Sequence, residues 1–293
     1  MSTVTVVTGA NSGIGRAIAV HLAKQGHDVY GTVRDVGRAK KLQMMAEAAG
    51  VEVHLVSLDV ADDESVTRGL QEVLDEAGRV DVLVNNAGVG GNATVEDCSP
   101  AAMLAVMNVN LCGALRCIRH LAPQMRERGS GTIVNITSAT GKFVSVAQAP
   151  YVASKWAFEG MSEELAFELA PFGIRVVIIE PGVTKSAIFA KNIDVPGGSD
   201  AYEPAYRRML EFYAAGIPVA TDPFEVAELI DHAIMTDSPQ LRYACSWGGR
   251  ELIEGRSNLS DEAFVALGGG IEGDGYWGSF SEAFGFEIGL PEG

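Results

Sequence analysis

The sequence has few of the residues that build metal sites and disulfide frameworks. Its four cysteines, Cys98, Cys112, Cys117 and Cys245, form no C-x-x-C pair and follow no zinc-ligand or disulfide spacing. The five histidines are scattered, and no two lie three or four residues apart as they would on one helix face. We therefore expect no metal site, and cysteines that act as small buried hydrophobic side chains.

Positive charge and long apolar segments are scarce as well. With 22 Lys and Arg against 38 Asp and Glu, the net charge is −16, which argues against a nucleic-acid partner because such partners need phosphate neutralisation. The chain starts without the basic and long apolar regions of a secretory signal. An apolar run such as residues 174–179 is far too short to span a bilayer. These absences predict a cytoplasmic protein with no membrane partner.

The sequence does contain a regular alternation of short apolar runs and longer amphipathic segments. The short runs are almost continuously apolar, which is typical of parallel strands covered on both faces. They lie at residues 4–7, 28–33, 51–58, 82–84, 132–136 and 174–179. This βαβα alternation predicts an α/β fold, a single Rossmann-type doubly wound parallel sheet with helices on both faces and a C-terminal substrate loop and tail.

Two long helices are predicted near residues 105–128 and 151–170, with a kink or an end expected at Pro123. After Pro181 the pattern loosens, and residues 185–200 predict a mobile loop before a short helix around 202–213.

We expect the whole chain, residues 1–293, to be a single domain. Residues 3–190 would form the dinucleotide-binding and catalytic core, and residues 185–293 a substrate lid and a C-terminal tail. The aromatic residues of the tail would dock it onto the body or onto a partner subunit.

A glycine-rich turn follows the first predicted strand and leads into an amphipathic segment. Gly9 suits a tight turn, Gly13 lets the backbone approach a pyrophosphate, and Gly15 allows close helix packing. A glycine cluster alone would fit an ordinary loop equally well, but its place between strand and helix predicts a dinucleotide site. No Gly-Lys-Ser/Thr follows, which argues against a P-loop nucleotide site.

The end of the second predicted strand bears on the choice between NADP and NAD. For NAD, an acidic residue here would accept hydrogen bonds from the ribose hydroxyls. Instead, Val33 is followed by Arg34, whose guanidinium could pair with a 2′-phosphate. The alternative is that Arg34 is a solvated loop charge and Asp35 takes the ribose role. The sequence thus favours NADP(H) and leaves NAD open.

Tyr151 and Lys155 are four residues apart, so they point to the same side of a helix. A tyrosine pKa of about 10 is too high for proton exchange at neutral pH. A nearby ammonium, together with the positive charge of oxidised nicotinamide, would lower that pKa. Tyr-x-x-x-Lys alone is a frequent accident on helix surfaces, so its location matters.

Just before this pair, the strand at residues 132–136 ends in Thr137-Ser138. The carboxyl edge of an open α/β sheet is where ligands bind. Ser138 can donate a hydrogen bond to a substrate oxygen that gains negative charge during hydride transfer. We therefore predict a hydride-transfer site with Tyr151 as acid/base, Lys155 as its activator and Ser138 beside the substrate.

Taken together, these motifs resemble the short-chain dehydrogenase/reductase family, short-form type, over residues 3 to about 190. The matching pieces are Thr8-Gly9-x-x-x-Gly13-x-Gly15, Asp59, Asn85-Asn86-Ala87-Gly88, Asn110, Ser138, Tyr151-x-x-x-Lys155 and Pro181-Gly182. Singly, Asp59 could cap a helix, Asn86 could be a turn residue and Asn110 could bond to backbone. Their joint occurrence in this order favours one site.

The resemblance implies a role for each matching residue. Asp59 would hydrogen-bond the adenine, and Asn110 would hold a water in a proton relay with Lys155, which would also contact the nicotinamide ribose. Ser186, five residues after Pro181, stands where the family usually has threonine and would contact the carboxamide. The implied cofactor-binding residues are Gly9, Ser12, Gly13, Ile14, Gly15, Arg34, Asp59, Val60, Asn86, Ala87, Gly88, Tyr151, Lys155, Pro181, Gly182, Val183 and Ser186.

The stretch from Tyr30 to Asp35 is similar to NADP-preferring members of the 17β-hydroxysteroid dehydrogenase type. Those members often carry Lys or Arg inside the glycine loop, where this sequence has Ser12. The resemblance also implies a homodimer or homotetramer formed through the helices near residues 105–128 and 151–170.

The loop 140–146 and the segment 186–192 are expected to form the substrate pocket with Phe143, Val144, Ile188 and Phe189. An apolar lining predicts an apolar carbonyl or secondary alcohol as substrate, although the same residues could be ordinary packing. A non-catalytic NADPH-sensing protein is the alternative from another class, but it would be expected to lose Ser138, Tyr151 or Lys155. A nucleotide-sugar epimerase would show a different glycine spacing.

Overall fold

The computed structural model describes residues 2–186, 199–269 and 275–289. Its centre is a seven-stranded sheet in the order β3-β2-β1-β4-β5-β6-β7, in which every neighbouring pair is parallel. The strands are β1 (Val4–Val7), β2 (Asp28–Val33), β3 (His54–Ser57), β4 (Val82–Asn85), β5 (Gly131–Ile136), β6 (Ile174–Pro181) and β7 (Arg242–Cys245). The prediction of a Rossmann-type doubly wound sheet is confirmed.

Two strand predictions differ from the structure. The third strand begins at His54 and not at residue 51, because the Val51 amide donates to the Ala46 carbonyl and completes the turn after the preceding helix. The seventh strand, β7, was missed, since all four of its residues are only half-buried and Arg242 opens it. A strand of that kind has no apolar run to reveal it.

Helices cover both faces of the sheet. On one face α3, α5 and α6 pack against β1, β4 and β5, and on the other face α1, α2 and α8 do so. The helices are α1 (Gly13–Lys24), α2 (Lys40–Ala48), α3 (Asp63–Ala77), α4 (Pro100–Met107), α5 (Gly113–Arg128), α6 (Ala149–Leu169), α7 (Glu203–Gly216), α8 (Pro223–Met235), α9 (Gly249–Asn258), α10 (Asp261–Gly268) and α11 (Gly275–Phe284). The predicted helices near 151–170 and 202–213 correspond to α6 and α7.

The predicted helix near residues 105–128 is built of two α-helices joined by a π-helical turn, Asn108–Cys112. It does not end at Pro123, because α5 continues through that residue to Arg128. By length and composition alone, the stretch Pro100–Arg128 could cross a membrane. Its residues Cys117, Leu121 and Met125 are, however, fully buried in the core beside the sheet.

The C-terminal aromatic residues pack onto the body of the protein. Trp277, Phe280 and Phe284 of α11 are buried in a cluster with Phe143 and Leu252. The Phe280 and Phe284 rings stack at 4.3 Å, and Phe284 meets Phe143 edge-on at 6.3 Å. This tail therefore buttresses the loop that follows β5. Most of the loop predicted at 185–200 lies outside the described residues.

Candidate active site

The glycine-rich turn connects β1 to α1 at the carboxyl edge of the sheet. Gly9 has a φ of +68°, and a Cβ there would lie 2.9 Å from the Ala87 Cα. Gly13 has a φ of +52°, and its Cβ would lie 2.9 Å from the Cβ of Ser186. A Cβ at Gly15 would lie 2.3 Å from Nδ2 of Asn86. The absence of side chains at these glycines thus allows the turn to approach Asn86 and Ala87 after β4 and Ser186 after β6.

The start of α1 suits a pyrophosphate. Ser12 is its extended N-cap residue, and the Ser12 side chain makes no capping hydrogen bond. No acidic residue lies in the first turn, so none competes for the positive end of the helix dipole. Ile14, in that turn, packs its side chain into the core beside α1. The cradle therefore fits the anionic centre of a dinucleotide.

Thr8 and Asn86 brace this cradle. The Thr8 hydroxyl accepts hydrogen bonds from the amides of Asn86 and Ala87 at 2.9 and 3.0 Å. Nδ2 of Asn86 donates to the Thr8 carbonyl at 2.8 Å. The ends of β1 and β4 are thereby locked together, with Gly88 directly after them.

Arg34 and Asp35 follow β2, where the adenosine ribose of a dinucleotide would lie. Arg34 is exposed and makes no hydrogen bond or ion pair with any described residue. Asp35 is engaged in its own turn, because one carboxylate oxygen accepts from the Gly37 amide at 2.9 Å and the other lies 3.2 Å from Nε of Arg38. Arg34 thus has its guanidinium available, whereas both carboxylate oxygens of Asp35 contact its own turn.

Asp59 and Val60 follow β3. The Asp59 carboxylate accepts from the Ala61 amide at 3.0 Å, while the N-cap of α3 is Asp62, so Asp59 does not cap that helix. Val60 is buried, and its carbonyl accepts from Arg116 at 3.1 Å.

Tyr151, Lys155 and Ser138 come together as the sequence predicts. Tyr151 and Lys155 lie one turn apart on α6, with Nζ of Lys155 5.6 Å from the centre of the Tyr151 ring. Nζ donates to the Ile136 carbonyl at the end of β5 at 3.0 Å. Ser138 hydrogen-bonds to Tyr151, and its Oγ donates to the Pro181 carbonyl at 3.3 Å. The two hydroxyls therefore share one side of the pocket, with the lysine behind the tyrosine.

Burial dominates the ionisation of this group. It raises the pKa of Tyr151, and the hydrogen bond with Ser138 acts in the opposite direction. Burial lowers the pKa of Lys155 to about 8, and the negative charge of Glu159 opposes that shift. The protein without cofactor therefore holds Tyr151 protonated at neutral pH.

Asn110 lies in the π-helical turn, a feature often found at functional sites. Its Nδ2 donates to the Val89 carbonyl and to the Ser154 hydroxyl, both at 2.9 Å, and its Oδ1 accepts from the Val89 amide at 2.8 Å. A Cβ on Gly88 would lie 3.4 Å from Oδ1 of Asn110 and 3.9 Å from Nζ of Lys155. The side-chain amide of Asn110 is thus fully engaged beside the lysine.

The segment after β6 is held against the end of β7. The Gly182 amide donates to the Cys245 carbonyl at 2.8 Å, and the Val183 amide donates to the Trp247 carbonyl at 2.9 Å. A Cβ on Gly182 would lie 2.2 Å from the Trp247 carbonyl oxygen, so only glycine allows this approach. Pro181, Gly182 and Val183 thereby form one wall of the pocket.

The pocket beside Ser138 and Tyr151 has an empty volume of about 560 Å³. Phe143 lines it as predicted, but Val144 is exposed and does not; Ile188 and Phe189 lie outside the described residues. Sequence reasoning missed Gln148, Phe212, Tyr213 and Leu252, which also line the pocket. Tyr213 accepts a hydrogen bond from Gln148 and donates to Oδ1 of Asn92 at 3.3 Å. Among the described residues, no group of three His, Cys, Asp or Glu could hold a metal ion.

Comparison with known proteins gives one consistent answer. The family described as short chain dehydrogenase matches residues 3–195. The 17-beta-hydroxysteroid dehydrogenase type 1 of Mus musculus is 36% identical over 252 residues, which are 82% of this chain and 73% of that protein. A crystal structure of a short-chain dehydrogenase from Streptomyces avermitilis is 34% identical, with a TM-score of 0.79, and covers 92% of this chain and 99% of its own.

A metagenomic short-chain oxidoreductase solved in complex with NADP is 30% identical, with a TM-score of 0.66 over 83% of this chain and 96% of its own. Both sequence and fold thus agree with the geometry of the cradle and of the tyrosine pair. The chain is therefore a member of the short-chain dehydrogenase/reductase family, whose oxidoreductases act on small molecules with a nicotinamide cofactor.

Proposed function

We propose that this protein transfers a hydride between NADP(H) and a carbonyl or secondary alcohol, with an apolar compound as substrate. The observation that carries the proposal is the meeting of Ser138 and Tyr151 in one pocket, with the buried Lys155 directly behind the tyrosine. That pocket opens at the edge of the sheet where the glycine cradle also lies.

The glycine cradle would hold the dinucleotide, whose nicotinamide would supply or accept the hydride and, when oxidised, would add a positive charge to the site. The chain's own residues do the rest. In the reduction, Tyr151 donates its hydroxyl proton to the substrate oxygen, and Ser138 donates a hydrogen bond that stabilises the developing negative charge. Lys155, held by the Ile136 carbonyl, stabilises the tyrosinate that remains. In the oxidation the same groups act in reverse.

Reprotonation of Tyr151 needs a route to solvent. Asn110 is our candidate to hold a relay water beside Lys155, as the family resemblance implies. The side-chain amide of Asn110 is already hydrogen-bonded to Val89 and Ser154. The water would therefore bind to main-chain groups of the π-helical turn.

Three observations support NADP(H) over NAD. Arg34 is free to pair with a 2′-phosphate, Asp35 is engaged by Gly37 and Arg38, and one related structure is a complex with NADP. A guanidinium forms charge-assisted, often bidentate contacts with phosphate. We expect Arg34→Ala to raise the KM for NADPH about tenfold or more while leaving the KM for NADH unchanged. A matched rise with both cofactors would contradict this assignment.

The apolar substrate follows from the pocket wall, where Phe143, Val183, Phe212 and Leu252 face the two hydroxyls. We would screen ketones and alcohols, from small polyols to bulky apolar compounds, with NADPH and NADH in parallel. Turnover confined to small polar sugars or polyols would refute the apolar class. NADPH binding without any turnover would favour a sensing role.

The decisive test of the chemistry is Tyr151→Phe. Loss of the proton donor should lower kcat by about 10²- to 10⁴-fold, with nearly unchanged NADPH binding measured by fluorescence titration. Tyr243→Phe is the matched control, since among the described residues the Tyr243 hydroxyl accepts only from the Gln240 amide, on the surface. Retained activity in Tyr151→Phe would refute the assigned role.

We propose a homodimer or homotetramer built through α4, α5 and α6. Leu104, Leu115 and Phe167 on these helices are exposed, and Phe167 is 82% exposed in the single chain. Light scattering of wild type and Phe167→Glu would test this.

We place the protein in the cytoplasm, which fits its four free cysteines.

A further inference from the structure

A charged cluster lies behind the catalytic lysine, on the side away from the pocket. Its centre is Glu159, one helical turn after Lys155 on α6, with a side chain only 4% exposed. The titratable groups around it come from four elements and are Lys155 and Glu163 on α6, Lys142 after β5, Glu180 on β6 and Arg242 on β7. Apart from Lys155, none of these residues has a role in the site described above.

Both oxygens of Glu159 are engaged. Oε1 accepts from the Thr137 hydroxyl at 2.5 Å. Oε2 accepts from Nε of Arg242 at 3.1 Å and lies 3.6 Å from Nζ of Lys142. A Cβ on Gly141 would lie 2.7 Å from Cγ of Glu159. The carboxylate is therefore fixed in place by its contacts on two sides.

Thr137 links this carboxylate to the reaction site. It stands between Ile136, whose carbonyl accepts from Nζ of Lys155, and Ser138. Its amide donates to the Ile179 carbonyl at 2.9 Å, and its one hydroxyl hydrogen is donated to Glu159. A displacement of Thr137 would thus move both the support of the lysine and the serine at once.

The charge of Glu159 has a second effect. Lys155 is buried and its pKa falls to about 8, so its ammonium begins to lose its proton just above neutral pH. Glu159 is the group that opposes this fall. Glu180 lies nearby with a pKa raised to about 7 by burial and by Glu159 itself, so it is a weaker source of negative charge.

The geometry points to Glu159 as a positioning residue of this active site: its carboxylate holds Thr137 between the two catalytic supports and places a buried negative charge one helical turn from Lys155. The inference rests on the proposed role of Lys155. Glu159 is not among the residues that line the pocket.

The direct test measures Lys155 itself, in the protein without cofactor. The chain has seven lysines, so labelling their ε-carbons with ¹³C gives a spectrum simple enough to titrate, with Lys155→Met to identify the resonance. Glu159→Gln keeps an oxygen for Thr137 and removes the charge, and we expect the pKa of Lys155 to fall by about one pH unit. An unchanged pKa would overturn the inference.

Glu163→Gln is the matched control. Glu163 lies on the same helix and binds the same Arg242, but its side chain is 62% exposed. Its loss should leave the pKa of Lys155 where it is in the wild type. An equal fall in both variants would mean that Arg242 or the surface charge is responsible and would also overturn the inference.

Turnover separates the two parts of the role. In Glu159→Gln the basic limb of the kcat against pH profile should move to lower pH by the same amount as the lysine pKa. Glu159→Asp keeps the charge, but its side chain is too short to reach Thr137. We therefore expect kcat to fall while the basic limb of the pH profile stays at the wild-type pH. A basic limb that shifts as it does in Glu159→Gln would refute the charge effect. Limb positions are independent of the amount of folded protein.

A wild type without any NADP(H)-linked turnover would instead refute the proposed function, while the lysine titration would still decide the role of Glu159.

Discussion

Replacing Lys155 by methionine should stabilise the fold while abolishing turnover. Nζ of Lys155 is buried with one protein hydrogen bond, to Ile136, and its pKa falls from the usual 10.5 to about 8. At 1.36 kcal/mol per pH unit, this difference means that the folded state at pH 7 carries a penalty of about 3 kcal/mol. Methionine removes the charge at similar length and leaves the Ile136 carbonyl unpaired, at a cost of about 1 kcal/mol. We therefore expect Lys155→Met to raise the free energy of unfolding at pH 7 by about 2 kcal/mol.

The stability gained by Lys155→Met should also depend on pH. Between pH 8 and 10.5 the unfolded chain still holds the lysine proton and the folded protein has released it. Wild-type stability from this group therefore rises with pH across that window, and the advantage of Lys155→Met should shrink toward pH 10. Urea unfolding at pH 7 and pH 9.5, followed by tryptophan fluorescence, measures both values.

Lys41→Met, at an exposed position of α2, is the matched control and should change stability by less than about 0.5 kcal/mol at both pH values. The reasoning would be refuted if Lys155→Met were less stable than the wild type at pH 7. A difference that stayed constant between pH 7 and pH 9.5 would refute it equally.

Two further substitutions test the cradle and the tail. Gly9→Ala should lower the free energy of unfolding by at least about 1 kcal/mol and weaken NADPH binding, because the φ of Gly9 is +68° and the new Cβ would lie 2.9 Å from Ala87. The control Gly50→Ala has the same φ and no neighbour within 4 Å, so it should be strained but bind NADPH normally. Thermal unfolding measures the strain and fluorescence titration the binding; equal NADPH binding by the two variants would contradict the role of the cradle. Phe284→Ala should lower the free energy of unfolding in urea by about 3–5 kcal/mol, and it should raise the KM for apolar substrates because Phe284 contacts the pocket residue Phe143. The exposed Val265→Ala is the control, and a loss in Phe284→Ala below about 1 kcal/mol, close to that of the control, would contradict the prediction.

The parts of this protein that sequence could predict are those in which neighbouring residues act together. The cradle is readable because strand, glycines and helix follow one another, and Tyr151 with Lys155 because helical spacing fixes their common side. Their position beside Ser138 follows from the rule that ligands bind at the carboxyl edge of a parallel sheet.

The unpredicted parts depend on residues far apart in the chain. Glu159 and Arg242 are 83 positions apart, and β7 has no apolar pattern that would place Arg242 beside α6. The pocket residues Phe212 and Leu252 belong to helices whose packing depends on aromatic residues at the end of the chain. Pairings of this kind leave no local periodicity for a sequence reading to detect.

The attachment of Gly182 and Val183 to the residues around β7 has a consequence for the order in which the protein matures during synthesis. The glycine cradle and the first six strands are complete once residue 186 has left the ribosome, and so is the Tyr151 pair. The amides of Gly182 and Val183, however, can form their hydrogen bonds only after Cys245 and Trp247 have been synthesised. Glu159 likewise lacks its hydrogen bond from Arg242 until residue 242 has been added. A nascent chain would therefore acquire its nucleotide-binding half well before a working pocket, and a product cut near residue 240 would retain cradle and tyrosine without the wall that orients its substrate.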